Sequence, residues 1–259
     1  MLAYNIPGVT NLVLTRQQIV GIYNGSINNW NDTTFAEHNP GVQLPNATIV
    51  PMARLGSTGS TEIFTRALSS FSDLWAAQYG VFSERTGWNA SVVTQFTQRT
   101  SGMADTIRHE PYHIGYLTPV SAVQVNLSYA SIINRRGRVT VADTTSVQAA
   151  MDERDLNMTS RLTSNLVDCE DEQTYPIAGY TYFIVPMTQE GNCSVAVGVT
   201  LEDWSVPVCP PRGDLSRSNG SKLVSACGPQ GGLCDEFWQL FGGSGTRSLH
   251  RMVLDERSG

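Results

Sequence analysis

The stretch from Ala47 to Ser70 constrains the fold more than any other part of the chain. Ala47 to Met52 is an apolar run that reads as a buried strand. It leads into Arg54-Leu55-Gly56-Ser57-Thr58-Gly59-Ser60-Thr61. From Thr61 to Ser70 the apolar residues Ile63, Phe64, Ala67 and Leu68 then recur at helical spacing. Strand, glycine-rich turn and helix in that order form the unit that an α/β domain places at the carboxyl edge of its sheet, where ligands bind. The turn has the chemistry of a small-oxyanion site. Gly56 and Gly59 permit a tight turn, Ser57, Thr58 and Ser60 bring hydroxyls, and the helix offers first-turn N–H groups that lack intrahelical acceptors. Arg54 adds a counter-charge. No lysine follows the second glycine, and no second strand carries a carboxylate for magnesium, so the loop is not of the nucleotide-binding type. A polar loop closed by an N-cap fits the spacing equally well.

The rest of the chain supplies matching α/β elements. Thr15 caps a helix through Gln18, Ile19, Ile22 and Tyr23 that Asn24-Gly25 stops. Trp30 packs under the next turn, and Thr33 to Glu37 makes a short helix. Phe71 to Tyr79 continues as a helix with Trp75 inward, and Thr100 to His109 makes another. Strands are expected at Ile114 to Leu117, Ser131 to Asn134 and Tyr182 to Val185, and a helix begins at Thr145. His109 and His113 read as surface or loop residues. Val195 to Val199 starts a helix that Pro207, Pro210 and Pro211 would break.

Several short stretches agree in order and spacing with one family. They are Tyr4-Asn5-Ile6-Pro7-Gly8-Val9, Ile22 to Ile27 with Trp30-Asn31-Asp32, Asn39 to Pro45, the loop at 54–65, His113-Ile114-Gly115-Tyr116-Leu117, and Tyr175-Pro176-Ile177. Residues 1 to about 190 resemble the bacterial phosphate-binding protein of the ABC importer. The resemblance implies an α/β fold of periplasmic-binding-protein type II, with two lobes around a ligand cleft. It puts Arg54 on the family arginine that grips phosphate oxygens, and Ser57, Thr58, Gly59 and Ser60 in the donor loop. Ser101, in the glycine-containing stretch Thr100-Ser101-Gly102, is a further contact candidate.

Two departures accompany the resemblance. Gly56 falls on the family aspartate that accepts a hydrogen bond from protonated phosphate and repels fully ionised sulfate, so discrimination between the two anions should weaken. The match also starts near the middle of the family's first lobe, which implies an N-terminally truncated fold and weak or no binding by these 259 residues alone. The expected division is a first-lobe remnant at 1–50, a second lobe with the anion loop at 51–178, a return toward the first lobe at 179–204, and a cysteine- and glycine-rich tail or linker at 205–259. A signal sequence lies outside the chain on this reading, with a membrane anchor or further domains in the full-length parent.

Composition narrows the setting. A net charge of -6, with scattered basic residues, argues against a nucleic-acid partner. Arg135, Arg136 and Arg138 read as a solvated turn around Gly137. Eight Asn-x-Ser/Thr sequons, at Asn24, Asn31, Asn46, Asn89, Asn126, Asn157, Asn192 and Asn219, exceed the about three that chance would give, and suggest a glycosylated extracellular or cell-surface domain. Five cysteines, Cys169, Cys193, Cys209, Cys227 and Cys234, would pair as disulfides outside the cell and leave one over; the connectivity is open. Their spacing lacks the Cys-x-x-Cys pair of a zinc site, and no cofactor motif is present. Ser57, Thr58 and Ser60 have no identifiable histidine base, and Asp105, Asp168, Glu170 and Asp171 make no metal pattern, so enzyme function is not expected. Three function classes stay open: a phosphate- or oxyanion-binding module, a receptor-like ectodomain that has lost its ligand, and, less favoured, a phosphate-ester hydrolase.

Overall fold

A computed structural model describes residues 1–155, 164–182, 198–201 and 204–207. The chain forms two compact units, Met1–Tyr180 and Thr181–Gly259. In the first, the elements in chain order are β1 (Leu2–Tyr4), β2 (Val13–Thr15), α1 (Arg16–Asn24), β3 (Val50–Arg54), α2 (Gly59–Phe71), α3 (Asp73–Gln78), β4 (Gln95–Thr97) and α4 (Thr100–His109). They continue with β5 (His113–Tyr116), α5 (Pro119–Gln124), β6 (Ser128–Tyr129), β7 (Ser131–Ile133), β8 (Val139–Thr140) and α6 (Thr144–Asp155). In the second unit β9 (Gly198–Leu201) pairs antiparallel with β10 (Trp204–Pro207).

The main sheet runs β4-β3-β5-β1-β6, and a smaller one runs β2-β7-β8. β3 lies parallel to both β4 and β5, the arrangement that needs helical crossovers, and α2 and α4 supply helices in those connections. β1 pairs antiparallel with β5, Leu2 opposite Tyr116. That pairing places Leu2–Tyr4 in the same sheet as β3 and the loop that follows it. Most of the expected segments 179–204 and 205–259 lie outside the described residues, as does the expected strand from residue 183 onward. Val199 is not helical but sits in β9, opposite Val206.

Local chemistry explains most element ends. The Thr15 hydroxyl accepts from Gln18 N while the Gln18 side chain accepts from Thr15 N, a reciprocal capping box, and Gly25 closes α1 at φ 86°. Ile19, Val20, Ile22 and Tyr23 of α1 are buried. Trp30 is fully buried and donates to Tyr112 O at 3.1 Å. His113 is buried at the start of β5, with Nδ1 3.0 Å from Pro111 O, and so is not the surface residue expected. Asp168 is buried too, accepting from Arg16 Nη1 at 2.7 Å and Ser70 Oγ at 3.1 Å, and so ties the 164–180 segment to α1 and α2. Among the described residues no helix is long and apolar enough to cross a membrane.

Gly115 lets α4 approach the sheet. A Cβ there would come within 2.7 Å of Met103 Sδ and 3.1 Å of Ile107 Cδ1. Gly115→Ala should therefore cost about 1 to 3 kcal/mol of stability through overpacking. Urea unfolding measures it, and an unchanged midpoint would mean that α4 can retreat freely.

Candidate functional site

β3 delivers Arg54 to its carboxyl end, and the chain turns through residues 55–58 into α2. Thr58 is the N-cap: its hydroxyl accepts from Thr61 N at 3.2 Å, and its own N–H donates to Ser83 O at 3.1 Å. Ser57 Oγ lies 2.8 Å from Ser83 Oγ. The loop is thus braced by residue 83, while Leu55, Gly56, Ser57 and Gly59 remain exposed and Ser60 is half-buried. The glycines do not serve the purpose the sequence suggested. Neither Gly56 nor Gly59 has a left-handed φ, and a Cβ at either would meet nothing within 4 Å. What they contribute is open space beside the N–H groups of the first turn.

Arg54 is buried, with 1% of its surface exposed. Its Nη1 donates to Thr100 Oγ1 at 2.6 Å and its Nη2 to Gln98 O at 2.7 Å. The guanidinium therefore clamps the β4–α4 turn beneath the loop and adds a positive charge under poorly solvated surroundings, where its field is less screened than in water. Its backbone N–H is also placed. β5 pairs with β3 only at Val50 and Pro51, and beyond that point the Tyr116 hydroxyl takes Arg54 N–H at 3.0 Å in place of a strand carbonyl. Tyr116 Oη lies 2.7 Å from Thr61 Oγ1, which lies 2.9 Å from Thr58 Oγ1. Burial pushes the Tyr116 phenol up, against the opposing effects of its hydrogen bond with Thr61, of the one it accepts from Arg54 N and of the Arg54 charge. Its ring stacks on Phe64 at 4.6 Å, which holds the hydroxyl under the start of α2.

Of the residues singled out from the sequence, Arg54, Ser57, Thr58, Gly59 and Ser60 fall at one corner of the sheet. Ser101 is exposed in the first turn of α4; its neighbour Thr100 is the one that meets Arg54. From the sequence, Ser83 is not singled out, Thr61 is only part of the loop, and Tyr116 and Thr100 are named only within longer stretches. Tyr116 stands within a quoted motif, but nothing local says that its hydroxyl reaches a loop 62 residues away. The loop at 55–60 lines neither of two surface concavities of about 630 and 230 Å3, which involve Arg136, Glu153 and Glu170 in one case and Tyr4, Asn5 and Asn126 in the other. Cys169 is a buried free thiol; the other four cysteines lie outside the described residues.

Residues 1–198 match the family model of the PBP superfamily domain. The chain belongs to the PBP superfamily. Over 204 residues it is 24% identical to the phosphate-binding protein PstS of Methanocaldococcus jannaschii, covering 74% of this chain and 52% of that protein. Over 208 residues it is 26% identical to a protein of Acanthamoeba polyphaga mimivirus named as a serine/threonine-protein kinase/receptor, covering 74% of this chain but 12% of the viral one. The PBP-superfamily chain therefore spans about half the archaeal relative and a small part of the viral one. Among solved structures it is similar to a high-affinity periplasmic phosphate-binding protein bound with phosphate, with 18% identity, 69% of this chain and 53% of that one covered, and a TM-score of 0.47. The α/β lobe of this superfamily accounts for the mixed sheet and its helical connections.

The Arg54 clamp gives a direct stability test. In Arg54→Lys one nitrogen on a shorter side chain replaces the two that reach Thr100 Oγ1 and Gln98 O separately, so stability should fall by about 1 to 3 kcal/mol. Chemical denaturation reads this, and a wild-type midpoint would show that the clamp holds nothing in place.

Proposed function

We propose that this PBP-superfamily domain binds phosphate or a similar tetrahedral oxyanion, without catalysis, at the loop between β3 and α2. The observation that carries this reading is the meeting of buried Arg54 with the capped start of α2 and the hydroxyls of Ser57, Thr58 and Ser60, in a chain whose relatives include phosphate-binding proteins. Ser57, Thr58, Gly59 and Ser60 supply short hydroxyl and N–H donors, and the α2 N-terminus adds its partial positive charge. Arg54 acts from beneath, as a charge and as the brace of the 98–100 turn. Ser101 is an outer contact at most.

The setting we propose is extracellular or at a cell surface, with N-linked glycans. In support, the five sequon asparagines among the described residues are all surface-accessible: Asn31, Asn46 and Asn126 exposed, Asn24 and Asn89 half-buried. Made through a eukaryotic secretory route, the chain should run heavier than 28.2 kDa and return to that mass on enzymatic removal of N-glycans. Secreted protein already at the bare mass would remove the glycoprotein part of the proposal.

Binding is tested by titrating the isotope-labelled chain with phosphate and following the amide signals of residues 57–61, a readout that registers weak association. Shifts confined to this loop, weakened at least tenfold in Arg54→Ala, are expected, on the scale of a lost charged partner. Still amide signals at high phosphate would end the proposal. Selectivity gives a second reading of the same site. Gly56 leaves room for a side chain, so Gly56→Asp should fold and should raise the phosphate-to-sulfate affinity ratio by roughly ten- to a hundredfold, since a carboxylate accepts the phosphate proton and repels sulfate. An unmoved ratio would mean that residue 56 does not face the ligand.

A further inference from the structure

The hydroxyls of Tyr116, Thr61 and Thr58 form a row, 2.7 Å and then 2.9 Å apart, running from the core to the anion loop. Each has one proton. Tyr116 Oη already accepts Arg54 N–H, and Thr58 Oγ1 already accepts Thr61 N–H. Suppose first that the protons pointed inward, Thr58 to Thr61 to Tyr116. The Tyr116 proton would then lack an acceptor among the described residues, at a side chain only 5% exposed. Suppose instead that Tyr116 and Thr58 both donated to Thr61. The Thr61 proton would then be stranded at a residue with no exposed surface. Burying an unpaired hydroxyl costs more than a satisfied one returns. One direction satisfies every buried proton: Tyr116 donates to Thr61 and Thr61 donates to Thr58, which leaves only the Thr58 proton for the loop surface.

We infer that Thr61, which receives the Tyr116 proton and gives its own to Thr58, is a positioning residue that leaves the Thr58 hydroxyl able only to donate toward the ligand, so that Thr58 favours oxyanions presenting a bare acceptor oxygen over protonated ones. The inference rests on the anion-binding reading above and sharpens its ligand class. With Gly56 in place of an acidic side chain, the loop segment 56–60 contains donors from Thr58 and from the first-turn N–H groups and no carboxylate. An O–H on the ligand that faces Thr58 finds no acceptor there, because that oxygen already takes Thr61 N–H and the Thr61 proton, and it displaces a good hydrogen bond. Fully ionised sulfate, or phosphate that has shed protons, fits best.

The test compares phosphate with sulfate across the pH range in which monohydrogen phosphate replaces dihydrogen phosphate. Charged and titratable groups around the row are Arg54 on β3, Tyr23 on α1, Glu62 paired with Arg66 on α2, Glu84 and Arg85 beyond Ser83, Arg99 before α4 and His113 on β5. Sulfate keeps its charge throughout that range, so its titration reports any effect of these groups, and phosphate affinities are read relative to it. In the wild-type chain, phosphate should gain affinity with pH from its growing charge and from losing an unmatched proton. In Thr61→Val the Thr58 oxygen no longer receives the Thr61 proton and can itself accept an O–H from the ligand, so only the charge-driven gain remains, smaller by about tenfold. In Tyr116→Phe the Thr61 proton still has only Thr58 as acceptor, so the wild-type profile should be kept. Thr61→Ser keeps the hydroxyl and should keep the wild-type profile, which a merely structural role for the Thr61 methyl would not predict.

If Tyr116→Phe fails to fold, the Val and Ser variants at 61 decide alone. The same phosphate pH profile in Thr61→Val as in wild type, or a Thr61→Ser profile that follows Val, overturns the relay while binding itself stands. A wild-type chain that responds to neither anion removes the binding reading, and the relay with it.

Discussion

Arg54 is the residue on which the site and much of the first unit depend. A guanidinium taken almost wholly out of water has to recover its hydration from fixed partners, and here those include Gln98 O and Thr100 Oγ1. That requirement joins β3 to the turn between β4 and α4. Because the same residue gives its backbone N–H to Tyr116, it also joins β3 to β5 where their ladder has ended. One residue thus sets three neighbouring segments around the start of α2, and a buried positive charge comes to lie under a loop rich in hydroxyls.

The aromatic packing below makes this arrangement rigid enough to matter. Phe64, from the buried side of α2, stacks on Tyr116 and meets Tyr23 of α1 edge-on at 4.7 Å. Trp88 stands against Tyr23, Phe82 and Trp75, so α1, α2 and α3 and the 82–88 segment share one set of ring contacts. Ring pairs of this kind contribute about 0.5 to 1.5 kcal/mol each beyond their burial. They also fix the height of the Tyr116 hydroxyl relative to Thr61. From the far end of α2, Asp168 holds Ser70 and Arg16, which ties the 164–180 segment along the helix. The loop at the front is open while its support is closed, the arrangement expected of a preorganised ligand site.

Much of this architecture was legible beforehand, and the legible parts have a common character. The capping box of Thr15 and Gln18, the stop at Gly25, the N-cap Thr58 and the buried stripe of Phe64, Ala67 and Leu68 all arise from contacts within a few residues. Arg54 and the loop were recognisable as a unit. The roles within it were not. Gly56 and Gly59 suggested a demand for unusual backbone angles, yet their backbone is ordinary and their use is the space they leave. His113 looked like a loop residue because Pro111 stands beside it, but β5 carries it into the core between β3 and β1. The pairing of β1 with a strand more than a hundred residues later was not legible either, because periodicity has no access to such a pairing.

The chain by itself determined several of the strands and helices, where those helices start, and that one strand, loop and helix would offer hydroxyls and N–H groups beside an arginine. These follow from short-range sterics and from side chains bonding to their own backbone. Only the tertiary structure decided that Arg54 would clamp the 98–100 turn, that Tyr116 would replace a missing strand partner, and that the row of hydroxyls would run outward to Thr58. The partners of Arg54 lie 44, 46 and 62 residues away in the chain. Their meeting is set by sheet pairing, and the direction of their protons is set by the cost of leaving a buried hydroxyl unpaired, a quantity that does not exist until the chain has folded around it.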